Sequence, residues 1–242
     1  MTLLSVNVNK IALLRNSRGR DYPGVIDFVD TVVRLGARGV TVHPRPDERH
    51  VRRSDVFAIR DFVKLHPGVE FNIEGYPSPE FMALVLEAKP HQCTLVPDAP
   101  EQLTSDHGWD VPANEALLRE TLDQLRQAKI RSSLFLDPEP SLIEGVKAVG
   151  ADRIELYTED YASHFGLESE GEVWQRYADT AAAATAAGLG VNAGHDLNLE
   201  NLPRFLEIPG IAEVSIGHAL VVECLYQGVP TVIEKYLEIT RA

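Results

Sequence analysis

The chain has 242 residues, 44% of them hydrophobic, and carries a formal charge of −13. That length suits one large domain, 1–242, with room for a substantial core. An isoelectric point near 5.0 argues against a nucleic-acid partner, whose basic footprint is missing, so any anionic ligand has to be held by a local cluster.

Cys93 and Cys224 give neither a disulfide framework nor a zinc-type pair, as expected of a reducing cytoplasm. Residues 1–10 hold no long apolar stretch with a cleavage site, and no apolar run reaches the roughly 18 residues of a membrane helix. A cytoplasmic protein without a membrane span is expected.

In chain order, β-branched runs alternate with amphipathic ones. The first strand is predicted over 3–9 and ends on Asn9-Lys10; a loop with Arg15 and Arg18 leads to a helix over 25–35, stopped by Gly36. Strand 39–43 ends on His43, and a loop bearing Arg45, Arg49, Arg52 and Arg53 precedes helix 54–65. Strand 69–74 ends on Glu74 and is followed by helix 79–88. Strand 92–96 contains Thr94 and opens a long loop from Asp98 to Pro112 before helix 113–128. Strand 131–136 precedes helix 139–149, and strand 153–157 carries Glu155 ahead of helix 172–188. Strand 189–193 runs into Gly194-His195-Asp196, with helix 199–207 after it. Strand 212–216 runs into Gly217-His218 and helix 218–239. Eight strand–helix pairs without a linker predict a (β/α)8 TIM barrel with a few extra helices, not a doubly wound sheet. The polar strand tips then share the end where barrels of this kind do chemistry.

Alternate strand residues report two environments. Val6, Val8, Val40, Val42, Ile154, Leu156, Val214 and Ile216 form an apolar outward set. Asn7, Asn9, Thr41, His43, Asn72, Glu74, Thr94, Glu155, Asn192 and Ser215 form a polar inward set. Barrel interiors usually fill with Val, Ile and Leu, and a buried polar group without a partner costs about 1–3 kcal/mol. A bound polar substrate is the expected partner of the set, although a single member such as Thr41 or Ser215 reads as a satisfied core group.

Ser215-Ile216-Gly217-His218-Ala219 takes a strand into a helix through glycine, leaving backbone N–H groups free to face a phosphate, and Gly194-His195-Asp196 repeats the arrangement one unit earlier. Arg18 and Arg45 are the favoured counter-charges among arginines that otherwise read as solvated or paired. His43, Glu74 and His195, with Glu155 on the lining, are the candidates for proton transfer. Histidines and acids at strand tips also suit a divalent metal, but HxH and HExxH spacings are missing and no metal is expected. A Schiff base on Lys10 is the weaker alternative. His66, His91, His107 and His164 read as structural or exposed.

These residues resemble the pyridoxine 5′-phosphate synthase family over essentially the whole chain. The likeness is carried by Val6-Asn7-Val8 with Leu14-Arg15-Asn16-Ser17-Arg18-Gly19, by Thr41 through His50, by Lys89-Pro90-His91 with Leu95-Val96-Pro97, by Val191 through His195, and by Ile216-Gly217-His218-Ala219. The resemblance implies a transferase of vitamin B6 biosynthesis that condenses 1-deoxy-D-xylulose 5-phosphate with 3-amino-2-oxopropyl phosphate without a cofactor, releasing phosphate and water, in cytoplasmic homo-octamers. It makes His43 and Glu74 proton acceptors, His195 a proton donor and Glu155 a transition-state stabiliser. Asn7, Asn9, Lys10, Arg18, Arg45, His50, Thr104, Asp196, Gly217 and His218 become substrate contacts, and the loop holding Thr104 becomes a lid. The chain departs from the pattern at Asn9-Lys10, where many members carry Asp-His, and at Asp196, where many carry glycine. Beside a phosphate, Asp196 is expected to point away or to cap the following helix. Two other classes remain open on the residues alone: a different phosphosugar barrel, isomerase or metal-dependent aldolase, and a non-catalytic binder of phosphorylated metabolites.

Overall fold

A computed structural model describes residues 1–98 and 105–241. Strands β1 (Leu3–Asn7), β2 (Gly39–Val42), β3 (Glu70–Gly75), β4 (Gln92–Leu95), β5 (Arg131–Leu136), β6 (Arg153–Tyr157), β7 (Gly190–Gly194) and β8 (Ile211–Ile216) pair in parallel and close into a barrel in sequence order. The main outer helices are α2 (Val25–Arg34), α3 (Arg53–Lys64), α4 (Pro79–Ala88), α5 (Glu115–Gln127), α6 (Ile143–Val149), α8 (Glu170–Ala186), α9 (Leu202–Phe205) and α11 (Val229–Arg241). This is the (β/α)8 barrel the alternation predicts, with every expected strand in place. The outward set Val6, Val40, Val42, Ile154, Leu156 and Val214 is fully buried between barrel and helices, which is where hydrophobic burial contributes most.

The helical layer differs from expectation in four places. Strand β1 stops at Asn7, because the Asn7 side-chain oxygen accepts the Asn9 backbone N–H at 3.0 Å and starts helix α1 (Asn9–Asn16) where a loop was expected. A short helix α7 (Glu159–His164) follows β6. The predicted helix 218–239 is two helices, α10 (His218–Gln227) and α11, separated at Gly228, whose φ of 85° lies in the left-handed region where glycine is unstrained. The predicted helix 199–207 shrinks to α9, with Pro203 in its first turn.

Arg15, on helix α1, is paired, as most of the arginines near the site are expected to be. Its guanidinium is buried and donates to both carboxylate oxygens of Asp55 on α3, at 2.5 and 2.8 Å, and to the His50 carbonyl. This is a structural pair between the first two βα units.

The barrel interior is polar, as its alternation indicates, but its partners are not those expected. Ser5 and Thr41 hydroxyls lie 2.7 Å apart, Asn72 donates to Thr41, and Thr94 bonds both Asn72 and Glu155 at 3.2 Å. At the base, Arg153 donates to Asn192 at 2.9 Å, Asn192 to Gln92 at 3.2 Å and Gln92 to Glu213 at 3.4 Å, while Arg131 bonds Gln92 and Glu70. Thr41, Asn72, Thr94 and Asn192 therefore need no substrate. Thr41, Asn72 and Thr94 satisfy one another, and Asn192 is satisfied by Arg153 and Gln92, as buried polar groups must be.

Candidate active site

A cavity of about 430 Å³ opens at the C-terminal end of the barrel. His43 comes from the end of β2, Glu74 from β3, Glu155 from β6 and His195 from the end of β7, and all four line it. Asn7, Asn9, Lys10, Arg45, His50, Asp196, Gly217 and His218 line the same space. Arg18 does not: it is exposed on the loop after α1. Thr104 and its neighbours 99–103 lie outside the described residues.

Local chain features put these groups in place. Asn9 receives the His43 backbone N–H on its side-chain oxygen at 2.9 Å, which ties the end of β2 to the start of α1. The His43 ring then sits between two acids, with Nδ1 4.0 Å from Glu74 Oε2 and Nε2 4.0 Å from Asp98 Oδ2. Asn7 reaches Glu74 at 3.5 Å. A side-chain carbon at Gly194 would fall 2.4 Å from Glu155 Oε1, so only glycine on β7 leaves room for that carboxyl.

Asp98 was missed as a site residue. It is buried just beyond β4, where it accepts from Arg45 at 2.6 Å and from the Ser105 hydroxyl at 2.8 Å. An acid at a strand tip opposite Arg45 is visible in the sequence, but the pairing spans 53 residues and nothing local announces it. Ser215, Ser105 and Phe135 also line the cavity; Ser215 belongs to the inward set and proves to face the open space. A second cavity of about 310 Å³, between the β2–α3 loop and α4, shares His43 and Arg45 with the first and is also lined by Asp98.

The electrostatics separate the candidates. Burial, reinforced by Arg45, His50 and Arg49, holds His43 well below the usual imidazole range, so its ring is neutral and able to accept a proton. His50 is lowered to about 4 by burial and by the same arginines. Burial, with Glu155, Glu213 and Asp98 nearby, raises Glu74 well above the carboxylate range. Glu155 is raised to about 8 by burial and by Glu213. Three buried acids close together cannot all ionise, so protons are retained in the pocket near neutral pH.

The turn after β7 is strained. His195 and Asp196 have φ of 85° and 55°, a region that costs non-glycine residues on the order of 1–3 kcal/mol. Thr158 bonds the Gly194 carbonyl at 2.7 Å and the His195 carbonyl, holding the turn. The Asp196 carboxylate neither points away nor caps a helix: it meets His195 Nδ1 at 2.7 Å. Asn198 and Asn201 cap the following turn.

Among the described residues, no cluster of three or more His, Cys, Asp or Glu side chains is arranged to hold a metal ion, and no helix is long and apolar enough to cross a membrane.

Comparison with known proteins adds the family. The sequence matches the family described as "Pyridoxal phosphate biosynthesis protein PdxJ" over residues 4–242. It is 52% identical over 237 residues to a pyridoxine 5′-phosphate synthase of Bacteroides thetaiotaomicron, covering 98% of each chain. To that of Phocaeicola vulgatus it is 49% identical over 243 residues, covering all of both. Among solved structures, a tryptophan synthase alpha-subunit from Pyrococcus furiosus superposes with a TM-score of 0.63 at 13% identity, covering 100% of this chain and 98% of the other; that likeness speaks for the barrel alone. On the match across nearly its whole length, this chain belongs to the PdxJ family of pyridoxal phosphate biosynthesis proteins.

Proposed function

We propose that this protein is a pyridoxine 5′-phosphate synthase, a single-domain transferase condensing 1-deoxy-D-xylulose 5-phosphate with 3-amino-2-oxopropyl phosphate and closing the pyridine ring with loss of phosphate and water. One observation carries the reading: two imidazoles and two acids from four separate strands meet in one cavity, in a chain about half identical to synthases of that name. Forming an imine, expelling phosphate and removing a ring proton require several acids and bases in one pocket.

In this reading neutral His43 accepts a proton, and Glu74, 4.0 Å away and protonated at rest, gives its proton to the departing hydroxyl as water leaves and then, as the carboxylate, accepts a second. Glu155, raised to about 8, stays protonated at neutral pH and hydrogen-bonds developing negative charge. His195 donates a proton. Gly217, His218 and the N-terminus of α10 receive one phosphate, while Lys10 and Arg45 supply positive charge for the other and His50, kept neutral, offers it a hydrogen bond. Arg18 and Thr104 remain candidates for contacts made on ligand binding. The reaction needs no cofactor or metal.

The reading includes a cytoplasmic homo-octamer. Leu225 and Tyr226 on α10 are 73% and 85% exposed, and Leu13 and Leu14 on the neighbouring α1 are also exposed, an apolar face suited to another copy. Incubating the purified protein with both substrates tests the function. Pyridoxine 5′-phosphate with matching phosphate release is expected; release of neither, with both substrates bound, would leave a non-catalytic binder, and activity lost on chelation would point to a metal-dependent barrel.

A further inference from the structure

Asp196 has no part in the proton steps above, yet it stands where backbone geometry disfavours any side chain except those of glycine, asparagine or aspartate. Its carboxylate is 2.7 Å from His195 Nδ1, and both residues line the catalytic cavity. The Tyr157 ring packs edge-on against the imidazole, with centroids 5.3 Å apart. The groups whose charge acts on Asp196 are His195, His218 and Lys10, from β7, α10 and α1, so a negative charge in a phosphate pocket is surrounded by basic side chains. This carboxylate–imidazole contact fixes which ring nitrogen faces the cavity.

We propose that Asp196 is a positioning residue that holds His195 through Nδ1, with Lys10 balancing its charge, so that Nε2 is the nitrogen presented to the substrate. The inference rests on the synthase reading for its kinetic consequence but not for its geometry. Accepting the Nδ1–H commits the neutral ring to the Nδ1–H tautomer. When His195 is protonated, the same bond leaves Nε2–H as the proton to be given away. Asp196 touches no reacting atom in this scheme, and its effect passes entirely through His195.

Two substitutions suit the left-handed backbone and so spare the fold: Asp196→Gly removes the acceptor, and Asp196→Asn keeps a neutral one. Asp196→Gly is expected to lower kcat about 10- to 100-fold with KM for each substrate changed less than about threefold, and Asp196→Asn to recover most of the loss. In a His195→Ala background, Asp196→Gly is expected to cost less than about twofold, because the two residues act as one unit. Nitrogen-15 NMR of labelled histidine, at a pH where the ring is neutral, is expected to show His195 as the Nδ1–H tautomer in the wild type and shifted toward Nε2–H in Asp196→Gly. Wild-type kcat in Asp196→Gly, an equal cost with or without His195, or an unchanged tautomer would overturn the proposal. A wild-type protein inert toward both substrates would instead remove the synthase reading, leaving the tautomer measurement to decide the positioning role by itself.

Discussion

The two ends of the barrel interior use the same residue types in opposite ways. At the base, Glu70 and Glu213 face Arg131 and Arg153, with Gln92 and Asn192 bridging between them. At the mouth, Glu74 and Glu155 face each other and an imidazole kept neutral, with the nearest arginine, Arg45, already bound to Asp98. Acids faced by arginines hold strands together; acids facing only other acids hold their protons to higher pH, Glu155 to about 8 against about 7 for Glu213. A barrel can therefore carry a polar core throughout and still confine chemistry to one end.

The largest effect expected from breaking this contrast is at the mouth. Glu74→Gln keeps the shape and removes the titrating group, so turnover should fall by about 10³-fold or more while far-UV circular dichroism stays native. Retained wild-type turnover would sink the assignment of Glu74. At the base the sign of the effect reverses: Arg153→Ala strips Glu213 of its partner and should cost about 2–3 kcal/mol of stability in denaturant titration, with kcat per folded molecule little changed.

A smaller effect concerns pH. Burial raises Glu213 to about 7 and Glu155 to about 8 in the folded state, above their unfolded values near 4.3. The folded protein thus binds these protons more tightly. Their contribution is whole below about pH 4 and is lost as pH rises toward 8, with a slope of at most about 1.4 kcal/mol per pH unit for one proton. Glu213→Gln should flatten unfolding free energy between pH 5 and 7 and so separate the base's share from the mouth's.

Much of this was legible in the chain. Eight strands and the inward polar set followed from period-2 alternation and turn residues, and the cavity unites the four proton-transfer candidates. Helix α1 was hidden because alternation continues on paper through Val8 and Asn9, and only the Asn7 side chain, by taking the Asn9 N–H, ends the strand. The break at Gly228 was announced by Gln227-Gly228-Val229-Pro230 but overridden by the apolar residues that resume at Val232 and Ile233. Asp98, the pairing of Thr41 with Asn72 and that of Asn192 with Gln92 depend on contacts across the barrel, which no local pattern encodes. Arg18 was singled out by its place in a motif, but its backbone leaves it exposed beyond the cavity.

Carbon-13 NMR titration of glutamate side-chain carboxyls, assigned with Glu74→Gln and Glu155→Gln, tests the contrast most directly. The account predicts that Glu155 ionises near pH 8 and Glu74 well above the ordinary carboxylate range. Both groups ionising together near pH 4.5 would contradict it, since the mouth would then hold fixed charges and no protons to move.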